Sequence, residues 1–145
     1  MNTPPQPPAP DASEFDRALA RLGLGAGQTV QEFGWDDDVD EDVRTAVEDV
    51  VGSALEDEAF TGGAGAVLLW WRAPDGDLTD ALVDLVGVLD DGGPVVLLTP
   101  RRTGAVDASE VDEASATAGL HASGSVPLGP HWRATRLLAR RPHRR

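Results

Sequence analysis

The sequence has 145 residues with 25 acidic and 12 basic side chains, so its formal net charge is −13. This length suits one domain with a single core, and the negative charge disfavours nucleic acids and anionic membranes, because phosphate binding requires clustered basic side chains. Cysteine, lysine and tyrosine are all absent, which excludes thiolate nucleophiles, cysteine-based metal sites, Schiff-base lysines and phenolic acids or bases.

The two ends of the chain differ in composition from the middle. Residues 1–13 hold five of the eleven prolines, which predicts a disordered Pro-rich tail. Residues 140–145 (RRPHRR) predict a flexible basic tail, so a single domain is expected over 14–139. Because the N-terminus lacks the basic and apolar regions of a signal peptide and no apolar run could span a membrane, we expect a cytoplasmic protein.

The first third of the domain predicts a helix, a strand and a second helix. Apolar residues at helical spacing predict a short helix over 14–22, and the β-prone run 29–33 predicts a strand. Asp38 with Glu41 three residues later has the spacing of a capping box. A helix of about four turns is expected to begin at that point.

The rest of the domain alternates buried strands with helices and ends in a hairpin. Residues 66–71 are apolar on both faces, as in a parallel strand that is covered on both sides. Asp77 is expected to cap a helix that Gly92 and Gly93 end. The remaining predicted elements, in chain order, are a strand over 95–99, a helix from Asp107 or Ser109 to Gly119, and strands over 120–126 and 132–139 joined by a turn at 127–130.

This order of elements predicts the fold class. Strands that alternate with helices favour right-handed crossovers, a parallel sheet and helices on both of its faces. We therefore expect an α/β domain with a single, mainly parallel five-stranded sheet and a C-terminal antiparallel hairpin.

Several runs carry a resemblance to known enzymes. They are Leu24–Val30 before the first strand, the helix end Leu89–Gly93, the strand Pro94–Thr99, and the helix end Ala118–Leu120 before a closing hairpin. This arrangement resembles the class I methyltransferases, and the resemblance implies a sheet order by sequence of 1-2-3-5-4. Those enzymes carry a Gly-rich turn after the first strand and two further strands that complete the adenosine pocket. Here Gly34–Asp38 (GWDDD) is bulky and anionic and only one helix follows it before the next strand, so the resemblance implies a truncated relative that binds no methyl donor, and no cofactor is expected.

A second set of runs carries a closer resemblance. The matching runs are QEFGWD at 31–36, LLWWR at 68–72, DGDL at 75–78, LTPR at 98–101, TAGL at 117–120 and WRATRL at 132–137. Together they cover about residues 19–139 and are similar to an actinobacterial family, the domain-of-unknown-function family numbered 3052. The resemblance implies an actinobacterial, cytoplasmic protein and little about its activity, because the family is known mainly as a sequence class.

Candidate binding residues lie where the predicted parallel strands end. In open α/β sheets the carboxyl ends of the strands form the edge where ligands bind. Aromatic faces beside arginine suit a planar or anionic ligand, or a hot-spot residue of a protein partner, whereas Trp70 is expected in the core. For Trp35 and Trp71, a core position stays open as the alternative to a binding role. The candidate residues at this edge are Trp35, Asp36, Asp37, Trp71, Arg72, Thr99 and Arg101.

The acidic run Asp36–Asp42 has two main interpretations. It forms a solvated helix N-terminus, where acidic side chains suit the helix dipole, or Asp36 and Asp38 bind a divalent cation weakly through hard oxygen ligands. The spacing of an EF-hand loop is absent. A strand followed by Asp36-x-Asp38 also resembles haloacid-dehalogenase-type phosphatases. There a basic residue, usually lysine, balances the phosphoryl charge. This chain has no lysine, and Arg101 or Arg102 could take its place only by departing from that pattern.

Two functions remain open from the sequence. The first is a non-enzymatic interaction or regulatory domain with a protein partner, because no base–nucleophile pair, phosphate loop, thiol or lysine is present. The second is a small-molecule or divalent-metal-binding domain, with Asp36 or Asp37 as base or ligand and Arg72 or Arg101 as anion clamp. Charge is segregated along the chain, since residues 32–91 hold 18 acidic residues and two arginines, which favours either head-to-tail contact or an Arg-rich partner surface.

Overall fold

The computed structural model describes residues 12–90 and 92–139, which build one five-stranded sheet with helices on both faces. The elements in chain order are α1 (Ala12–Arg21), β1 (Val30–Phe33), α2 (Glu41–Val51), β2 (Ala66–Trp70), α3 (Leu78–Val86), β3 (Val95–Pro100), α4 (Ala108–Thr117), β4 (Leu120–Leu128) and β5 (Trp132–Ala139). A single 3₁₀ turn (Ala73–Asp75) follows β2.

The two predicted tails fall almost entirely outside this described part. Helix α1 begins at Ala12, two residues inside the segment predicted as a Pro-rich tail. Residues 1–11 of that tail and the predicted basic tail at 140–145 lie outside the described residues. Among the helices of the described residues, none is long and apolar enough to cross a membrane.

The strand order is β1-β2-β3-β5-β4, which confirms the predicted fold class and sheet order. Strands β1, β2 and β3 run parallel, β5 runs antiparallel to β3, and β4 runs antiparallel to β5. The second strand of the hairpin therefore lies between β3 and β4. Because Pro100 at the end of β3 pairs with Trp132 at the start of β5, the hairpin turn reaches the edge where the parallel strands end.

The outer edge of β1 is covered by the segment that follows α2. Gln31 forms a parallel bridge with Glu56, whose N–H donates to the Val30 carbonyl (2.9 Å) and whose carbonyl accepts from the Glu32 N–H (2.8 Å). The chain thus passes from β1 through α2 to this outer edge and then returns to the other side of β1 to form β2. The direction of travel across the sheet reverses between β1 and β2, and such a switch point is where open α/β sheets form a ligand crevice.

The core has two layers, one on each face of the sheet, because consecutive strand residues point to opposite faces. In β2, Leu68 and Trp70 belong to the layer under α1 and α2, whereas Val67 and Leu69 belong to the layer under α3 and α4. All five residues of β2 are buried, as predicted for a central strand, and Trp70 is a core residue as expected.

Helix α2 begins later than the sequence spacing predicts. Its N-cap is Asp40, whose Oδ1 accepts hydrogen bonds from the N–H groups of Asp42 (2.9 Å) and Val43 (3.3 Å). The cap predicted at Asp38 is wrong, because the Asp38 carboxylate is paired with Arg72 instead. The helix has 11 residues rather than about four turns.

Helix α3 begins where predicted but ends early. Asp77 caps it, as expected, yet its last residue is Val86 and the glycines at 92–93 do not end it. The chain leaves the helix because the residues after it form backbone bonds with Ala64. The Ala64 N–H donates to the Val88 carbonyl (2.9 Å), and the Asp90 N–H donates to the Ala64 carbonyl (2.8 Å).

The closing hairpin has a longer first strand than predicted. Strand β4 extends to Leu128, so the turn occupies 129–131 rather than 127–130. Pro127 stays in the ladder opposite Arg133, and Leu128 stays opposite Trp132. Of the two starts predicted for α4, the structure selects Asp107.

Candidate functional site at the carboxyl ends of the strands

The parallel strands end on one side of the sheet, which we call the carboxyl edge. It consists of the segments 34–40, 71–77 and 101–107, which follow β1, β2 and β3, together with the hairpin turn 129–131. All seven predicted site residues belong to these segments except Thr99, which lies in β3. The structure separates them into three groups with different surroundings.

Arg72 lies at the switch point between β1 and β2 and bonds to the ends of both strands. Its Nη1 donates to the carbonyl oxygens of Gly34 (2.8 Å) and Trp70 (3.4 Å). Its Nε donates to Asp38 Oδ2 (3.0 Å), its Nη2 bonds to Asp38 Oδ1, and its Nη1 lies 3.2 Å from Asp75 Oδ2. Only 12% of the side chain is exposed, so the guanidinium occupies the place where the fold would open a crevice.

The ends of β1 and β2 also touch directly. Gly34 has a φ of +78°, and a Cβ atom at this position would lie 2.2 Å from the Trp70 carbonyl oxygen. The Gly34 N–H donates to Glu58 Oε2 (3.0 Å), so the backbone of this turn is already bonded to the segment after α2. The turn after β1 therefore has neither open space nor a free N–H at Gly34 for a ligand.

Arg72 and Asp38 stabilise each other in their charged forms. The hydrogen bonds from Arg72 lower the pKa of the Asp38 carboxyl below its usual value, and burial opposes this effect in part. The bonds to Asp38 and Asp75 likewise raise the pKa of the Arg72 guanidinium. The pair is therefore ionised at neutral pH and holds the 34–40 segment against the end of β2.

The fourth tryptophan, which the sequence analysis did not include in the site, completes this cluster. The Arg72 guanidinium carbon lies 5.3 Å from the centre of the Trp132 ring, within range of a cation–π contact. Trp132 packs edge-on against Trp70 with ring centres 4.8 Å apart, and its Nε1 donates to the Asp38 carbonyl (3.3 Å). Its place at the start of the second hairpin strand was the available signal, because an antiparallel return strand brings that position to the carboxyl edge.

A second ion pair, whose carboxylate is buried, has no counterpart among the residues singled out from the sequence. Glu32, on β1, is buried and accepts two hydrogen bonds of 2.8 Å from Arg44 of α2. The Trp70 Nε1 donates to the same carboxylate (2.8 Å). Because the buried Glu32 carboxylate is paired and accepts three hydrogen bonds, this cluster fixes α2 on the sheet. Its only signal in the sequence was a glutamate within a predicted strand.

Three predicted site residues lie at the surface of the carboxyl edge. Trp35 is 52% exposed, which makes it one of the large apolar side chains that the core does not cover. Asp36 and Asp37 are exposed beside it, and Asp36 Oδ1 accepts from the Asp37 N–H (2.7 Å). The 34–40 segment thus presents an indole next to two carboxylates.

The other three predicted residues make contacts within the fold. Trp71 packs partly buried against the layer under α3 and α4, and its Nε1 is buried without a hydrogen-bond partner. Thr99 is buried in β3. Arg101 donates from Nη1 to the carbonyls of Gly129 (3.1 Å) and Pro130 (3.4 Å), which ties the hairpin turn to the loop after β3.

The proposed metal ligands do not form a metal centre in the described part of the chain. Within residues 12–90 and 92–139, no group of three or more His, Asp or Glu side chains is arranged to hold an ion. Asp38 is bound to Arg72 through both carboxylate oxygens, so a cation at Asp36 and Asp38 would have to displace that arginine.

Several solved structures with a similar fold are methyltransferases. A riboflavin-derivative dimethyltransferase from Streptomyces davawensis matches with a TM-score of 0.63 and 14% identity over 89% of this chain and 55% of its own. Mitomycin 7-O-methyltransferase matches with a TM-score of 0.56 and 13% identity over 89% of this chain and 54% of its own. Magnesium protoporphyrin IX methyltransferase from Synechocystis PCC 6803, with bound SAM, matches with a TM-score of 0.54 and 11% identity over 89% of this chain and 79% of its own. The chain spans about half the length of the first two, and the likeness establishes a methyltransferase-like fold alone.

Sequence comparison agrees with the resemblance predicted above. Uncharacterised proteins of Mycobacterium tuberculosis and Mycobacterium bovis are each 43% identical to this chain over 132 residues, which is 90% of this chain and 81% of each relative. The family model described as a protein of unknown function (DUF3052) matches residues 19–141. The chain therefore belongs to the DUF3052 family of proteins of unknown function.

Proposed function

We propose that this chain is a non-enzymatic, cytoplasmic interaction domain on a methyltransferase-like scaffold, and that it binds a protein partner through the carboxyl edge. The observation that carries the proposal is the position of Arg72. Its guanidinium bonds to both strand ends at the switch point, where a small-molecule crevice would otherwise form. Because the Arg72 side chain fills this crevice, the outer surface of the carboxyl edge is the part that can bind a protein partner.

The methyl donor that related folds bind does not fit these residues. The methyltransferase resemblance requires a Gly-rich turn whose backbone approaches the cofactor. Here the Gly34 N–H is bonded to Glu58 and the Gly34 carbonyl to Arg72. The following residues Asp36 and Asp37 are exposed carboxylates, which would repel a carboxylate or other anionic group of a ligand.

The surface favours a basic partner with a pocket for an indole. Trp35 projects from the 34–40 segment with about half of its surface exposed, and tryptophan is a frequent hot-spot residue of protein interfaces. The adjacent Asp36 and Asp37 would steer and orient arginine or lysine side chains of the partner. The excess of acidic residues between 32 and 91 extends the same negative potential beyond the two carboxylates.

The test is a capture experiment with the immobilised full chain and a mycobacterial lysate. We expect a partner that the wild type retains and that Trp35→Ala binds about 30-fold more weakly, because loss of a hot-spot side chain typically has that effect. Asp36→Asn/Asp37→Asn should slow association, and about 0.5 M salt should release the partner because it screens exposed charges. The affinity is then measured with the purified partner.

Val83→Ala is the matched control, since Val83 is another exposed apolar side chain but lies on α3. It should retain the partner as the wild type does. If the wild type and Trp35→Ala capture the same proteins in the same amounts, the carboxyl edge is not the interaction surface. Trp71 is not used as a probe, because it packs against the core.

A further inference from the structure

A cavity of about 400 Å³ opens on the carboxyl edge beside β3 and the hairpin. Its volume lies within the range of about 300–1,000 Å³ that is typical of small-molecule sites. The residues that line it include Arg72, Pro100, Arg102, Thr103, His131 and Trp132. Neither Trp35 nor Asp36 or Asp37 belongs to this lining, so the cavity occupies a different part of the carboxyl edge from the indole and carboxylates of the partner proposal.

The walls of the cavity are held by backbone hydrogen bonds. The Arg101 N–H donates to the His131 carbonyl (2.9 Å), which joins the loop after β3 to the hairpin turn. The Ala73 N–H donates to the Gly104 carbonyl (2.9 Å), which joins the same loop to the 71–77 segment. The Ala105 N–H closes a turn on the Arg102 carbonyl (2.9 Å). A ligand would therefore bind to a largely pre-formed site, and little conformational entropy of the protein would be lost on binding.

Among the lining residues of the cavity there is one more basic than acidic side chain, although the chain as a whole is strongly acidic and Arg72 also pairs with Asp75 outside the lining. Asp38, its one acidic lining residue, is neutralised by the two bonds from Arg72. Arg102 is exposed and makes no side-chain hydrogen bond or ion pair with any residue of the described ranges 12–90 and 92–139. Thr103 and His131 add a hydroxyl and an imidazole at the same cavity, and Pro100 and Trp132 supply apolar surface.

We propose that this cavity binds a small organic anion with a single carboxylate or phosphate group. The charged group pairs with Arg102, whose planar guanidinium suits both anions. The apolar body of the ligand lies against Pro100 and Trp132. Such a ligand is independent of the protein partner proposed above, because it uses a different arginine and does not contact Trp35.

Benzoate and phenyl phosphate are suitable probes, and benzamide is the neutral analogue of benzoate. Each is titrated into the ¹⁵N-labelled full chain, with the Trp132 indole N–H as the reporter resonance. We expect saturable shifts at about millimolar concentration, which is the affinity that a ligand of this size reaches. The response to benzamide should be at least about tenfold weaker, because it lacks the charge that pairs with Arg102.

Two variants with the same loss of charge make the test specific. Arg102→Gln should weaken both anions at least about tenfold, whereas Arg17→Gln, which changes an exposed arginine of α1, should leave their affinities unchanged. The absence of saturable shifts up to about 20 mM, far above the expected Kd, would overturn the proposal. So would equal binding of benzamide and benzoate, or equal effects of the two arginine variants. Tighter binding of one probe would identify the anion as a carboxylate or as a phosphate.

Discussion

At the carboxyl edge, polar side-chain atoms bond to other groups of the protein instead of to water. The Arg72 guanidinium donates to the carbonyls of two strand ends and to two aspartates, and it also lies over an aromatic ring. Its long side chain is ordered because each of these contacts limits its rotamers, and the planar guanidinium can satisfy several acceptors at once. Arg72 is therefore a structural residue, and the anion clamp predicted for it remains a prediction.

The Asp38–Arg72 pair leads to a pH-dependent prediction. Because Arg72 lowers the pKa of Asp38 in the folded state, the pair stabilises the fold above about pH 4, the usual value for an unfolded aspartate. This stability is lost as the pH falls through the folded pKa. Asp38→Asn should reduce the free energy of unfolding by about 1 kcal/mol at pH 7, since the carboxylate is half exposed.

Urea unfolding of wild type and Asp38→Asn at pH 7 and pH 3 measures this difference. The gap between the two proteins should narrow at pH 3, because there the unfolded wild-type chain binds a proton at Asp38 that the folded ion pair disfavours. Asp37→Asn is the control, because the Asp37 side chain forms no ion pair with any other described residue. If the difference in the free energy of unfolding between the two proteins is the same at both pH values, the ion pair does not stabilise the fold.

At the scale of elements, the close contact of β1 and β2 depends on one glycine. Gly34 ends β1 with a positive φ and directly faces the Trp70 carbonyl, so the turn leaves the sheet without room for a side chain. The next residues then reach Arg72 and form the exposed Trp35 segment. The position of the candidate partner surface is thus set by the way in which one strand ends.

Gly34→Ala should lower the free energy of unfolding by at least about 2 kcal/mol, because it combines an unfavourable φ with a clash against backbone. Gly27→Ala is a matched control with a similar φ of +89° and no neighbouring atom within 4 Å of the added Cβ. It should cost only about 1 kcal/mol, the price of the backbone conformation alone. Thermal and urea unfolding of both variants measure the comparison, and equal losses would show that the contact with Trp70 is unimportant.

Across the whole molecule, apolar packing extends over both faces of the sheet, whereas the acidic residues are concentrated in one part of the chain. The two core layers cover both faces of the sheet evenly, whereas 18 of the 25 acidic residues lie between 32 and 91, the part that forms β1, α2, β2 and α3. The hairpin side carries several of the arginines, among them Arg133 and Arg136. Such a charge separation orients an approaching partner without contributing to the fold itself.

The methyl donor provides a test at this scale, because it involves the whole carboxyl edge. In a thermal-shift experiment with about 1 mM S-adenosylmethionine or S-adenosylhomocysteine, we expect the melting temperature to change by less than about 1 °C. A ligand at about 100 times its Kd would add about 2.7 kcal/mol, which is a shift of several degrees for a domain of this size. A shift of that size would contradict the argument that Arg72 and Gly34 close the crevice.

The alternation of elements, the family and the fold class could all be predicted from the amino-acid sequence. Runs such as 66–70 are apolar throughout because both faces of a central strand are buried, and that pattern is local. Helix ends were less predictable, as at Asp38, because a cap competes with distant partners for the same carboxylate. The exposure of Trp35 and the partial burial of Trp71 likewise could not be predicted from spacing.

Which side chains meet at the carboxyl edge follows from the folded arrangement of distant segments and could not be predicted from the sequence. Arg72 and Asp38 are 34 positions apart, and the Asp38 carbonyl and Trp132 are 94 apart. Contacts at such separations depend on the register of the sheet and on the path of the loops, which bring chain segments together only after the core has formed. The sequence therefore indicated an edge rich in tryptophan, aspartate and arginine, while the fold determined that one arginine fills the crevice and that another, Arg102, remains beside an open cavity.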